Sequence, residues 1–172
     1  PAASQCSDLA AFARVAPPNA AQSAQLGDFE VAIARAKTAL ISERLSSARE
    51  RAAAVAKVAA AMGYGPAISR AERIRAETLW RSGQLNAATD AGLRSLWAAQ
   101  SAGDDRAIAR AWLLLAIVDG SRAKYLSSER ACRHALATLA RSGGDELLVA
   151  NVRNTLGIVY TGLGRYAAAE RE

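Results

Sequence analysis

Residues 154–172 read NTLGIVYTGLGRYAAAERE, and the spacing inside this stretch decides how the rest of the chain is read. Leu156, Tyr160 and Tyr166 are large, Gly157 and Ala169 are small, and Gly164 stands between the two groups as a breaker. Two helices joined by a tight turn need this pattern. Each helix carries a small residue where the backbones cross, and the turn carries a residue that tolerates a left-handed backbone. The same register recurs upstream. The position of Gly157 is held by Ala36, Ala76 and Ala116, that of Tyr166 by Leu45, Leu85 and Tyr125, and that of Ala169 by Ala48, Ala88 and Ser128. Gly63, Gly103 and Gly143 fall between the copies. Each series steps by about 40 residues, the mark of an internal repeat built from helix pairs.

Composition agrees with stacked helices. The chain has 172 residues, enough for one sizeable core. Hydrophobic residues make up 51% but aromatics only 5%, an alanine-rich balance that suits close-packed helices better than sheets. No apolar run approaches the roughly 18 residues of a membrane helix, so no direct membrane insertion is expected of this stretch. The net charge of +6 and pI near 9.9 favour acidic partners. The arginines are spread along helices with few aromatics for base stacking, which argues against nucleic acid. Cys6 and Cys132 make no metal-ligand pattern, and either a bridge or two separate thiols is compatible with the count. The chain begins without Met and stops inside an apparent helix, and so reads as a piece of a longer protein.

Taken in order, residues 1–19 form a lead-in with a short helix capped by Ser7, bearing Leu9, Phe12 and Val15 on one face and closed by Pro17-Pro18. Residues 20–172 form the repeat domain, in units of about 20–63, 67–103, 105–143 and 145–172, the last incomplete. Asn19 caps the first long helix, Gly27 weakens its middle and Asp28 offers an alternative start. The third unit's turn, DGSRAK, reads as looser than the others. Arg35 and Arg75 stand where Leu156 stands in the last unit, so either their side chains snorkel or the early helices are rotated. Asp119 replaces Tyr160, which predicts different packing in the third pair.

The Leu-Gly, Tyr, Gly-Arg-Tyr and Ala series of residues 156–169 resembles the tetratricopeptide repeat (TPR) signature. That resemblance implies an all-α, right-handed superhelix of helix-turn-helix units. The period here exceeds the roughly 34 residues of an ordinary TPR, an excess expected in longer helices and loops. Cys6, Pro17-Pro18, Gly63–Pro66, Ala102–Arg106 and Ser142–Gly157 further resemble the C-terminal region of bacterial serine/threonine protein kinases, in which TPR-like repeats follow the kinase domain. The resemblance implies a sensory or protein-binding module and no catalysis by these residues. If the resemblance holds, it implies the extracytoplasmic portion of a membrane-anchored kinase; otherwise a cytoplasmic position is expected.

Candidate chemistry in the residues themselves is sparse. His134, the only histidine, has no nucleophile at recognisable spacing and reads as a solvated or core-edge side chain. Cys132 reads as a small buried hydrophobe, while terminal Cys6 has the alternative of a partner elsewhere. Asp104-Asp105 and Asp145-Glu146 follow glycines and precede helices, as caps do. No catalytic residue, metal site or cofactor is expected.

In a TPR superhelix the first helix of each pair lines the concave face. Register places there Arg70, Arg73, Glu77 and Trp80 from the second unit, Arg110 and Leu113 from the third, and Asn151 and Asn154 from the fourth. Arginines present paired donors to carboxylates, and asparagines pair with an extended backbone. The alternative is an ordinary solvated helix face. Trp80 and Trp97 also read as core aromatics, and Trp112 as the core tryptophan of its unit. The expected function is capture of a protein or peptide. A structural or oligomerisation role, with self-association through the open last unit, and a ligand-sensing role in a transcription regulator are the alternatives.

Overall fold

Asn19 starts the first helix as the spacing predicts: its side chain accepts from the Gln22 amide at 2.9 Å and the Gln22 side chain answers to the Asn19 amide at 3.0 Å. The computed structural model describes residues 15–172, so the lead-in helix expected around Ser7, Leu9 and Phe12, and Cys6 with it, lies outside the described residues. Among the described residues the secondary structure is entirely helical. The elements are α1 (Ala20–Ile41), α2 (Leu45–Met62), α3 (Gly65–Arg81), α4 (Leu85–Ala102), α5 (Asp105–Ser121), α6 (Tyr125–Arg141), α7 (Glu146–Gly162) and the short α8 (Tyr166–Ala169). Helix α1 runs unbroken through Gly27 and Asp28. Residues 17–101 form one compact unit and residues 102–172 belong to another.

In the first unit, Phe29, Ile33 and Ala36 of α1 pack with Ala52, Val55 and Ala59 of α2 and Ala67, Ala71 and Ile74 of α3. The small positions meet as the repeat requires, with Ala36, Ala48, Ala76 and Ala88 fully enclosed. Helices α3 and α4 are pinned by Ser95, whose Oγ donates to the Ser69 carbonyl at 2.8 Å. Arg35 is exposed on α1, and Arg75 pairs with Glu72 at 3.4 Å. Arg35 therefore does not occupy a covered leucine site, and Arg75 keeps its part-exposed guanidinium on the Glu72 carboxylate.

In the second unit, Ala109 and Ala116 of α5, Cys132, Ala135 and Leu139 of α6, and Leu148, Val152 and Leu156 of α7 form a single cluster. At the α5–α6 crossing the Ser128 Oγ donates to the Ala116 carbonyl at 2.7 Å. Gly162 at the end of α7 is needed as glycine, because a Cβ there would lie 2.5 Å from the Tyr125 ring. Tyr166, in the same register one unit on, is 66% exposed.

The turn of each pair closes on one hydrogen bond. Arg44 donates to Ala39, Gln84 to Leu79, Lys124 to Asp119 and Arg165 to Tyr160, backbone to backbone, at 2.8 to 3.0 Å. This is the long bond that ends a helix through a left-handed residue. That residue is Glu43, Gly83, Ala123 or Gly164, with φ of 55°, 74°, 56° and 71°. The third turn is thus not the looser one its sequence predicted, because Ala123 accepts the conformation glycine takes elsewhere. Side chains adopt it at a cost of about 1–2 kcal/mol, so Ala123→Gly should stabilise the chain by roughly 0.5–1 kcal/mol after glycine's own entropy cost. A urea-denaturation midpoint unchanged or lowered by the substitution would contradict this geometry.

Candidate functional site

Helix α3 starts on Gly65-Pro66, where proline suits a first helical turn. It then runs straight enough to carry Arg70, Arg73, Glu77 and Trp80 on one strip. Arg70 reaches across to Glu30 of α1 with both terminal nitrogens, Nη2 to Oε2 at 2.7 Å. Its guanidinium carbon stands 5.7 Å from the Phe29 ring centroid. Arg73 lies 3.9 Å from Glu77, which also takes Arg81 at 3.2 Å. Trp80 is half-buried beside them. The structure therefore pairs Arg73 with Glu77 and ties Arg70 separately to Glu30 of α1.

In the second unit, Arg110 of α5 lies 3.9 Å from Asp145, whose carboxylate also binds Arg106 at 2.7 Å and caps α7 through the Leu148 amide at 3.2 Å. Leu113 is half-buried against the α5–α7 cluster and contributes packing more than a contact surface. Asn151 and Asn154 are exposed on α7. Asn154 lines a cavity of about 470 Å³ with Arg153, Gly157 and Ile158.

Glu30 was the carboxylate that sequence reasoning missed. Glu30 sits in the register position of Arg70 one unit earlier, so the signal was the reversal of charge between these two members of one column of the repeat. The hydrogen bond from Arg70 holds the Glu30 carboxyl below its ordinary range, and the bond from Leu148 with the Arg106 charge does the same for Asp145. A depressed folded-state pKa means stability that is present above the unfolded value and lost as pH falls through the folded one. Thermal unfolding midpoints should therefore be flat from neutral pH down to about 5 and fall below about 4. Glu30→Gln with Asp145→Asn should flatten that acid limb, and an unaltered limb would show that other carboxylates set it.

The remaining candidates have structural explanations. Asp104 caps α5 through the Ala107 amide at 2.9 Å, and Asp105 binds Arg141 at 2.5 Å. His134 is exposed and stacks on half-buried Trp112, ring centroids 4.8 Å apart. Cys132 is buried, and that burial, with the Glu129 and Glu172 charges, pushes its thiol up to about 11. Trp97 is not the core aromatic that was one reading of it. It is 57% exposed, because α4 turns Ala88, Ala91, Ser95 and Ala99 inward and leaves Trp97 on the opposite side. Among the described residues no group of His, Cys, Asp and Glu could hold a metal ion, and no helix is long and apolar enough to cross a membrane.

The α5–α8 segment thus combines paired helices, a small-residue crossing and a left-handed turn. Residues 107–171 match the tetratricopeptide repeat family. The matched tetratricopeptide segment spans nearly all of α5 to α8 and contains the stretch with the clearest signature. The α1–α4 pairs share its register and turn geometry. No curated protein matches the chain.

Proposed function

We propose that the chain is a non-catalytic protein-binding module that takes a peptide or partner protein on the face of the first helices of its pairs. Tetratricopeptide repeats generally mediate protein–protein interactions. The observation that carries the reading here is a repeat position with a polar side chain on the first helix of every pair, Glu30 and Arg70 in one unit and Arg110 and Asn151 in the other. Arg70 and Arg110 already hold internal carboxylates, so a partner carboxylate would compete with Glu30 or Asp145 for a guanidinium that is already oriented. Asn151 and Asn154 present amide groups to solvent. On the resemblance of Gly63–Pro66 and Ser142–Gly157 to kinase C-terminal regions, we place the module in a larger bacterial signalling protein, apart from its catalytic domain.

The test is affinity capture with the immobilised chain, comparing wild type with an Arg70→Glu/Arg73→Glu variant whose helicity is checked by circular dichroism. Both side chains are half-buried and outside the apolar core, and losing such a partly exposed ion pair costs about 0–1 kcal/mol, so the variant should fold. Partner recovery should fall about tenfold, as for loss of a charged contact worth about 1.4 kcal/mol. Undiminished recovery by a folded variant would remove this face as the binding surface.

A further inference from the structure

Outside the strip on α3, one groove combines charge and space without internal neutralisation. It lies between α1 and α2, has a volume of about 550 Å³, and is lined by Val31, Ala34, Arg35, Arg44, Ser47 and Arg51 among others, with no carboxylate in the lining. Every arginine of α3 has a carboxylate partner within 4 Å: Arg70, Arg73, Arg75 and Arg81 bind Glu30, Glu77, Glu72 and Glu77. Arg35, Arg44 and Arg51 are exposed, and among the described residues none of them has an ion-pair partner. Arg51 Nε donates to the Ser47 hydroxyl at 3.1 Å, which fixes one guanidinium along the groove wall.

Register says what shape of ligand the groove accepts. Val31, Arg35 and Thr38 of α1 correspond to Val152, Leu156 and Val159 of α7. On α7 these residues are buried, with Val152 and Leu156 packed against Cys132, Ala135 and Leu139 of α6. Among the described residues no helix covers the same side of α1, and Val31 is 50% exposed. The repeat therefore presents, beside α1, a face that elsewhere in the chain takes a helix. The face differs from its counterpart in having arginine where leucine stands.

We infer that the α1–α2 groove docks an acidic amphipathic helix of a partner protein, set against α1 as α6 is set against α7. Carboxylates on the incoming helix pair with Arg35, Arg44 and Arg51, and its small apolar residues cover Val31 and Ala34. The groove side of α1 from Val31 to Ser42 spans about 17 Å at 1.5 Å per residue, enough for three turns of helix. Nucleic acid is the less suited polyanion, because no aromatic ring lines the groove for base stacking. The inference rests on the protein-binding reading but uses a different surface from the α3 strip.

The experiment measures fluorescence anisotropy of a labelled helical peptide of about four turns, with glutamates and leucines on one face, titrated with the full chain. An Arg35→Glu/Arg44→Glu variant should bind about tenfold more weakly. Two controls locate the effect: Lys124→Glu/Arg130→Glu, an equal charge change on exposed residues around α6, and Arg70→Glu/Arg73→Glu. Both should stay within about threefold of wild type. Equal losses in all three variants would reduce the binding to net charge and overturn the site. A loss confined to Arg70→Glu/Arg73→Glu would also overturn it, while leaving the α3 surface in place. Absence of wild-type binding overturns the groove alone, since capture through α3 is measured separately. A single-stranded oligonucleotide bound as tightly, and weakened by the same Arg35 and Arg44 changes, would replace the acidic helix with a nucleic acid.

Discussion

Phe29→Ala should cost about 3–5 kcal/mol, the range for emptying a fully buried phenylalanine site. Phe29 is wholly enclosed on α1 among the alanines, valine and isoleucine that join α1, α2 and α3. Its ring also lies under the Arg70 guanidinium, so the truncation removes packing and a cation–π contact together. Against a total stability of about 5–15 kcal/mol for a domain, that loss is visible at equilibrium. Urea unfolding should show a midpoint shifted far down, and Phe29→Leu should recover most of it. Glu30→Ala next door breaks only a surface ion pair and should cost no more than about 1 kcal/mol. Equal costs for the two substitutions would mean that α1 is held to α3 by charge and not by its core residue.

Ala116→Leu should be the most damaging enlargement, about 3 kcal/mol and at the top of the usual range for overpacking. Ala116 and Ser128 are both fully enclosed where α5 crosses α6. The Ser128 Oγ is within 2.7 Å of the Ala116 carbonyl, and a Cβ on Gly120 would lie 3.6 Å from the same oxygen. Three added carbon atoms therefore have to part the helices, which also breaks the serine bond. Ser128→Ala keeps the spacing and loses only that bond, for about 1 kcal/mol. Denaturant midpoints for the two variants decide the matter: a leucine tolerated as well as the Ser128→Ala change would show that the helices do not approach this closely.

Much of this architecture was legible from spacing. Small residues at Ala36, Ala48, Ala76, Ala88, Ala116 and Ser128 can be read directly because a close helix crossing admits few side chains, and all six are enclosed. Turn conformation was half legible. Gly83 and Gly164 announce a left-handed residue, but Glu43 and Ala123 adopt the same φ without any compositional sign, since the capping bond to Ala39 or Asp119 imposes it. Helical spacing puts Arg70, Arg73, Glu77 and Trp80 on one side of α3, yet the carboxylate partner of Arg70 was not legible. Which carboxylate meets Arg70 depends on how α1 lies beside α3, a tertiary fact. Trp97 was misplaced as core because hydrophobicity alone does not fix which side of an alanine-rich helix turns inward. Arg35 looked anomalous at a leucine position only because the register carries no information about whether a neighbour covers that face.

The spacing of the polar ties has a kinetic consequence. Within the units, Arg70 meets Glu30 at a separation of 40 residues, Arg106 meets Asp145 at 39, and Arg141 meets Asp105 and Arg165 meets Glu129 at 36 each. None of these ties requires a chain closure longer than one repeat, so the entropy of forming each new contact does not grow as helices are added. Such a chain resembles a one-dimensional lattice, in which ordering begins at any favourable pair and spreads to its neighbour. Pulled from its two ends, it should yield in steps of a helix pair or so, each releasing about 40 residues of contour.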